Sequence, residues 1–480
     1  MSQPEVVVAI SDIHMGADRA KGIFRSADAL VSFIDSWTAS ARCMDLVILG
    51  DGVDFLTRLP GVADRKFLVS AAVTKIDEII KQNIDVFSAL ARFVKASQKR
   101  IVWCVGNHDI ELAFAEVQAR INQAVLGQTA DDPARLQWSV DGKRLDYVGT
   151  GGAKIRFVHG NLRDKWNSLN YDEVRELAAH GGSEGYKYPQ GSVLVTDVLN
   201  PLKADGISHV DLLKPEVSVA LPLTMALWPE KARPLIGTAL KAEWSVEVGA
   251  LVKWFKSLWS DTPAQTFGMK ALATKPATVA PGDVISAAFR GVPDAQVGID
   301  VDDVAGLFTR SLLTKEMAAI LEGDGPVGVK SFGGSKARRV IERLLLSATA
   351  EANGGSDPWA LDHVDDLDQV LRDTFALADA PDVVIAGHTH LARAVNYDHH
   401  LYFNIGTWAS LMRIPRGIEG QDFVEYARRL KKCVEGAADA PWTMRPFTRL
   451  TYAQVDLTKG EDFASLLEWP SPCTGVLYRR

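Results

Sequence analysis

An α/β fold is predicted by three features of this 480-residue chain: short β-branched runs that each end in a polar loop, helical periodicity between the first of them, and a very long interval before the last. The runs are Val6 to Ile10 before SDIH, Leu46 to Leu49 before GDGVD, Ile101 to Val105 before GNHD, Ile155 to Val158 before HGN, and Val383 to Ala386 before GHTH. Continuous apolar runs of this length suit strands buried on both faces, and a chemically loaded loop at the carboxyl end of such a strand is where open α/β sheets place ligands. Five loops are therefore expected to converge on one edge.

The covering helices follow from spacing. Asp28 to Ala41 places Leu30, Phe33, Ile34 and Trp37 on one face, and Ile79 to Phe93 reads as a second helix before the third strand. From His159 to His388 the separation exceeds one helix and loop, so an inserted lid or subdomain is expected there. Within it Ile236, Leu240, Trp244, Val248, Leu251, Phe255 and Leu258 form an apolar helical face. A core helix is the plainer reading; a substrate-facing or membrane-surface helix with Lys241, Lys253 and Lys256 on its polar side is the other. Glycines at 181 to 185, 323 to 328, 333 to 334 and 354 to 355 mark loops or hinges. The expected organisation is residues 1–164 as the first part of a core, 165–380 as the insertion, 381–415 as the second part, and 416–480 as a carboxyl-terminal extension packed on the core.

Composition excludes several classes. With 47% hydrophobic, 24% charged and 8% aromatic residues, the chain is average for a folded soluble protein and unlike collagen-like, disordered or disulfide-scaffold sequences. A net charge of -7, from 53 basic and 60 acidic residues, offers no global basic field for duplex DNA or anionic membranes, so nucleic acid is not favoured as a partner. Cys43, Cys104, Cys433 and Cys473 form no CxxC pair, which speaks against a thiolate zinc site and for a reducing compartment. No signal peptide and no stretch of ~20 apolar residues is visible, so no transmembrane segment and a cytoplasmic location are expected.

The chemistry lies in the coincidence of the loops. Asp12 and His14, then Asp51, then Asn107, His108 and Asp109, then His159, then His388 and His390 each follow a predicted strand, and five of the ten histidines fall in these loops. One DxH or one GNHD alone carries little information. Together the imidazoles and carboxylates form a mixed nitrogen and oxygen set suited to Mn, Fe or Zn.

The strings SDIH, GDGVD, GNHD, VHGN and GHTH, in that order, resemble the signature of the calcineurin-like metallophosphoesterases over about residues 5 to 160 and 382 to 410. That resemblance implies a four-layer α/β/β/α sandwich, here with a large, partly helical insertion, and two divalent metal ions, Mn first, with Fe and Zn as alternatives. It implies that Asp12, His14, Asp51 and His390 bind one metal and that Asp51, Asn107, His159 and His388 bind the other, with Asp51 bridging. The implied reaction is hydrolysis of a phosphate ester by a metal-bridging hydroxide, since two cations about 3.5 to 4 Å apart polarise a phosphoryl oxygen and acidify a water. His108, next to Asn107, is the candidate proton donor to the leaving oxygen, with Asp109 holding its ring; a turn or capping role is the other reading of Asp109. Asp54 reads as a turn residue.

Beyond the ligands, the run NLRDKWN offers Arg163, Asp164, Lys165 and Trp166, with Arg163 and Trp166 as candidate substrate contacts that clamp phosphate and stack on a base or sugar. Arg393 and the turn Gly406, Thr407 and Trp408 are assigned to packing. GDGPVGVKS at 323 to 331 has one residue too many for a Walker loop, and the adjacent His399 and His400 read as a hairpin tip. Cys104, in a buried strand, is a poor nucleophile. The favoured function is hydrolysis of a phosphodiester or pyrophosphate in a nucleotide-like substrate. The alternatives are a phosphomonoesterase acting on protein or metabolite, and a non-catalytic scaffold in a larger complex. Protein partners are left open.

Overall fold

The computed structural model describes residues 3–127, 133–164, 166–214, 223–224, 227–228, 357–364, 368, 373–376, 379–397, 399–418, 420–434, 445–469 and 476–479. The apolar face at 236 to 258, the segment 323 to 331, Lys165, Cys473 and the glycines at 323 to 328, 333 to 334 and 354 to 355 lie outside them. The chain divides into two units. The first comprises residues 1–196, 356–410 and 447–480, the second residues 197–355 and 411–446.

In the first unit β1 (Val6–Ile10), β2 (Met44–Leu49), β3 (Lys99–Cys104) and β4 (Leu136–Ser139) run parallel. A second sheet contains β5 (Leu145–Val148), β6 (Lys154–Val158), β7 (Val383–Ala386), β8 (Ala392–Tyr397) and β9 (His400–Ile405), in the order β8-β9-β7-β6-β5. Strands β10 (Thr451–Asp456), β11 (Ala464–Glu468) and β12 (Val476–Arg479) complete the first sheet, in the order β12-β11-β10-β1-β2-β3-β4. Residues 416–480, read from sequence as an extension packed on the core, thus supply three strands of the sheet itself. β10 lies antiparallel to β1, with Val6 opposite Asp456.

The apolar runs alternate between two cores, as strand geometry requires. Val6, Val8 and Ile10 pack with Leu46, Ile48, Ile101 and Trp103 beneath the helices, whereas Val7, Ala9, Val47 and Leu49 pack against Ile155, Phe157, Val383, Ile385 and Phe403 of the second sheet. Helices, first sheet and second sheet are three successive layers. On the outer face of the second sheet Phe375 packs against Val384, Ala386 and Tyr402. This is the mixed α/β architecture expected from the sequence.

Helix α1 (Ala27–Thr38) buries Ala27, Leu30, Phe33 and Ile34 on one face. The region from Ile79 to Phe93 is corrected: it contains the end of α2 (Val69–Gln82) and most of α3 (Ile84–Lys95), divided at Asn83. Asn83 leaves the helical region, at φ -121° and ψ 31°, and its side-chain amide donates to the carbonyls of Gly16 at 3.1 Å and Ile79 at 2.8 Å. Asparagine competes with the helical backbone in this way, and apolar spacing carried across the break conceals it. Helix α4 (Ala115–Leu126) packs on α2 and α3, and α5 (Tyr171–Ala179) puts Val174 and Ala178 into the same core.

The second unit contains a short helix, Asn200–Ala204, a parallel pairing of Leu213–Lys214 with Met412–Arg413, and α6 (Gly420–Val434). Among the described residues no helix is long and apolar enough to cross a membrane.

Candidate metal centre

The loops that follow β1, β2 and β3 in the first sheet and β6 and β7 in the second meet at one place. Two carboxylates and five imidazoles from those loops form overlapping clusters: Asp12, His14 and His390; His14, Asp51 and His108; and Asp51, His159 and His388. Asp12, His14, Asp51, Asn107 and His159 are buried.

The backbone there is held in an uncommon conformation. Asp12, His14, Asp51, His388 and His390 have φ between 50° and 74°, the left-handed region that side chains with a Cβ avoid at a cost of about 1–3 kcal/mol each. Surrounding bonds impose it. Asp12 donates its N–H to the Gly50 carbonyl at 3.2 Å and its own carbonyl accepts from the Thr407 hydroxyl at 2.6 Å. His14 donates its N–H to the Asp51 carbonyl at 2.9 Å. At Gly106 a Cβ would collide with the Asp51 carboxylate, so the glycine of GNHD lets the third loop close on the second.

Each carboxylate has one oxygen engaged and one presented. Asp12 Oδ2 accepts from the His388 N–H at 2.8 Å and from the Ser11 hydroxyl at 2.6 Å, leaving Oδ1 facing His390 Nε2 at 3.3 Å and His14 Nε2 at 3.9 Å. Asp51 Oδ1 accepts from the His108 N–H at 2.8 Å. Its Oδ2 lies between His14 Nε2 at 3.9 Å and His159 Nε2 at 3.4 Å.

The donor chemistry fits cations. His159 Nδ1 is 2.8 Å from the Leu49 carbonyl, to which it must donate, so Nε2 carries the lone pair of the neutral ring. That nitrogen faces Asp51 Oδ2 and, at 3.2 Å, Asn107 Oδ1, while Asn107 Nδ2 donates to Asn167 at 3.3 Å. One ring nitrogen and two oxygens converge as acceptors, an arrangement that only a proton or a cation between them can stabilise. Similarly His14 Nε2 and His390 Nε2 stand 3.0 Å apart over Asp12.

The same carboxylates favour a proton on His159 Nε2, the position a cation would take. Burial lowers the basicity of His159, yet Asp51 and Asp12 carry it up to about 10. Burial and the charges of His108 and His390 push His14 down to about 3, keeping it neutral and ligand-ready. Burial would raise the Asp12 carboxyl, but the adjacent His390 imidazole holds it at about 2. Asp51, against the same burial, is kept well below the carboxylate range by His159 and His108. Both carboxylates are thus held ionised by positive charge beside them.

His108 is half-buried, with its ring 4.6 Å from that of His14. Its orienting partner differs from the one read in the sequence. Nδ1 lies 3.3 Å from Asp54 Oδ1, whereas Asp109 accepts from the backbone N–H groups of Gly52 at 2.9 Å and Gly106 at 2.5 Å. Asp109 therefore ties the second loop to the third and does not hold the ring. Burial and the charge of Asp51 push its carboxyl up to about 8. Burial opposes the charge on His108, but Asp51 and Asp54 raise it to about 9.

Of the NLRDKWN run, Arg163 is exposed and Trp166 half-buried, and Asp164 between them does something the sequence reading missed. Its Oδ2 pairs with His388 Nε2 at 2.9 Å and accepts from Asn167 at 2.7 Å, while Oδ1 accepts from the Trp166 N–H at 2.9 Å. A carboxylate five residues after His159 was the available signal, but nothing in one dimension joins it to a histidine 224 positions away.

Trp408 and Arg393 are packed in the interior. Trp408 is fully buried and donates from Nε1 to the Thr451 carbonyl at 2.9 Å, and Arg393 meets Asp368 at 3.4 Å. His399 is exposed at the β8-β9 turn, with the His400 ring donating to the Pro381 carbonyl at 2.8 Å. Burial pushes the Cys104 thiol up to about 12, which keeps it un-ionised.

The family model described as calcineurin-like phosphoesterase matches residues 6–210, a span that takes in the loops from SDIH to HGN. No curated protein matches the chain.

Proposed function

We propose, from the match of residues 6–210 to the calcineurin-like phosphoesterase family, that this chain hydrolyses phosphate esters at a binuclear divalent metal centre. Metal-dependent phosphoester hydrolysis is the family's chemistry. The observation that carries the two-metal reading is Asp51 Oδ2, set between His14 on one side and His159 on the other. Asp12, His14, Asp51 and His390 would hold one cation; Asp51, Asn107, His159 and His388 the other, with His388 ligating through Nδ1 because Nε2 is engaged by Asp164. Mn suits the mixed donor set best, with Fe and Zn next. When bound, the cations polarise a phosphoryl oxygen and lower the pKa of an attacking water.

The chain's own residues supply the rest. As water oxygen adds to phosphorus and the ester P–O bond breaks, the leaving oxygen takes up a proton, and His108, its ring held by Asp54, is the side chain that would supply it. Asp54 orients the ring and Asp109 locks the loop that bears it. A nucleotide-like phosphodiester or pyrophosphate is the preferred substrate, with exposed Arg163 and half-buried Trp166 available for the part beyond the phosphate. The insertion, residues 165–380 in the sequence reading, would add selectivity. Metal-loaded protein assayed against nitrophenyl diesters, nitrophenyl monoesters and nucleotide pyrophosphates tests this. Hydrolysis lost on chelation and restored by Mn supports it; no turnover of any ester with two metals bound per chain would overturn it.

A further inference from the structure

Asn107 differs from the other proposed ligands in a way that matters for its orientation. The two ends of a carboxamide are alike in shape and opposite in hydrogen bonding, the oxygen accepting and the nitrogen only donating. Only the oxygen can face a cation. Asn107 is buried, its Oδ1 stands 3.2 Å from His159 Nε2, and its Nδ2 donates to Asn167 Oδ1 at 3.3 Å. Asn167 closes the NLRDKWN run and has no role in the sequence reading.

The Asn167 amide is itself oriented. Its Nδ2 donates to Asp164 Oδ2 at 2.7 Å, and an ionised carboxylate accepts only, so this end of the amide has to be the donor. Oδ1 therefore faces Asn107, which has to answer with Nδ2, and this turns Asn107 Oδ1 toward the His159 nitrogen. Asp164 is pinned in turn by His388 Nε2 and the Trp166 N–H, both at 2.9 Å. The acceptor character of one carboxylate is thus passed through two amides and emerges as an oxygen presented to the site. Reversing either amide would set donor against donor or acceptor against acceptor.

The surroundings keep Asn167 in place. Its N–H donates to the Asp164 carbonyl at 3.1 Å, and its own carbonyl accepts from Asn161 Nδ2 at 3.0 Å. Asn161 Oδ1 accepts from the Tyr171 hydroxyl at 3.2 Å. On the other side Gly191 donates its N–H to the Trp166 carbonyl at 2.8 Å, and a Cβ at 191 would collide with the Asn167 carboxamide. Gly191 lies in the short helix Gln190–Leu194, where alanine is by propensity the better residue; here glycine makes room for the amide.

We propose that Asn167 is a positioning residue for the cation assigned to Asp51, Asn107, His159 and His388, its carboxamide fixing the Asn107 oxygen toward that cation. This role rests on the two-metal reading above and adds to it a residue that touches no cation.

Titration of Mn into the chelator-treated full chain, with free Mn read from its paramagnetic resonance signal, tests it. In Asn167→Ala, and separately in Gly191→Ala, one cation should bind ~10- to 100-fold more weakly, the range for losing a partner of a ligand, while the other stays within ~3-fold of the parent. The carboxylate of Asn107→Asp presents oxygen whichever way it turns. In that background Asn167→Ala should cost less than ~3-fold, whereas an asparagine that merely supports the loop would cost the same in both. Parental affinity for both cations in Asn167→Ala or in Gly191→Ala, equal weakening of the two cations, or an Asn167→Ala loss unchanged by Asn107→Asp would overturn the proposal. A parent that binds two cations and hydrolyses esters while the variants keep its affinities loses only the Asn167 role. A parent whose cations respond as stated but which turns over no ester loses only the hydrolase reading.

Discussion

Asp164 Oδ2 lies 2.9 Å from His388 Nε2, joining the loop after β6 to the GHTH loop after β7. An imidazole held on one nitrogen by a carboxylate has a fixed ring orientation and a more basic second nitrogen. Asp164→Asn should therefore lower affinity for one of the two cations by ~10- to 100-fold while sparing the other. Metal stoichiometry by atomic emission, followed under graded chelation, checks this; simultaneous loss of both metals would mean that Asp164 supports the fold and not His388.

Asp51→Asn should disturb both cations, since one carboxylate oxygen faces His14 and His159 at once and an amide cannot offset two charges. Turnover should fall by orders of magnitude. Near-normal metal content and rate in the purified variant would rule out the bridging role.

For His108→Ala, both metals should remain and turnover should fall by ~10²- to 10⁴-fold, the range for a general acid. The defect should shrink as the leaving group becomes more acidic. Asp54→Asn should show the same leaving-group trend more weakly, because it acts through the His108 ring. A His108→Ala defect that is identical for nitrophenyl and alkyl esters would assign this histidine to another task.

Stability should depend on acid through Arg42 and Asp456, which join the loop before β2 to the end of β10. The guanidinium donates to both carboxylate oxygens, at 2.7 and 2.9 Å, and also to Glu5 at 3.0 Å. These bonds hold the Asp456 carboxyl far below its ordinary value of 3.8. A depressed folded pKa stabilises above the unfolded value and is lost as pH falls through the folded one, so the contribution is complete near neutrality and declines below pH 3.8. Asp456→Asn should cost about 1 kcal/mol at neutral pH, discounted because the Arg42 side chain is 37% exposed. Urea midpoints of parent and variant should converge at low pH; a gap independent of pH would show that packing and not charge is responsible.

The amino-acid sequence by itself determined the strands and the loops that carry the clustered histidines and acids. Val6–Ile10 and Val383–Ala386 are fully buried runs whose boundaries follow from composition, because a strand packed on both faces has no polar position to blur its ends. The histidines and acids after those strands were legible for the same reason, since chain direction alone carries each to a strand's carboxyl end. Three relations were decided only in the tertiary structure. Asn83 divides a stretch that reads as one helix because its amide finds the Gly16 carbonyl, 67 positions earlier in the chain. Asp54, and not Asp109, meets the His108 ring because Asp109 is consumed by backbone donors from two loops. Asp164 reaches His388 because β6 and β7 are parallel neighbours, with Val158 beside Ala386. Residue type announces that a carboxylate will seek a donor; which donor it finds depends on distances that exist only once the strands have paired.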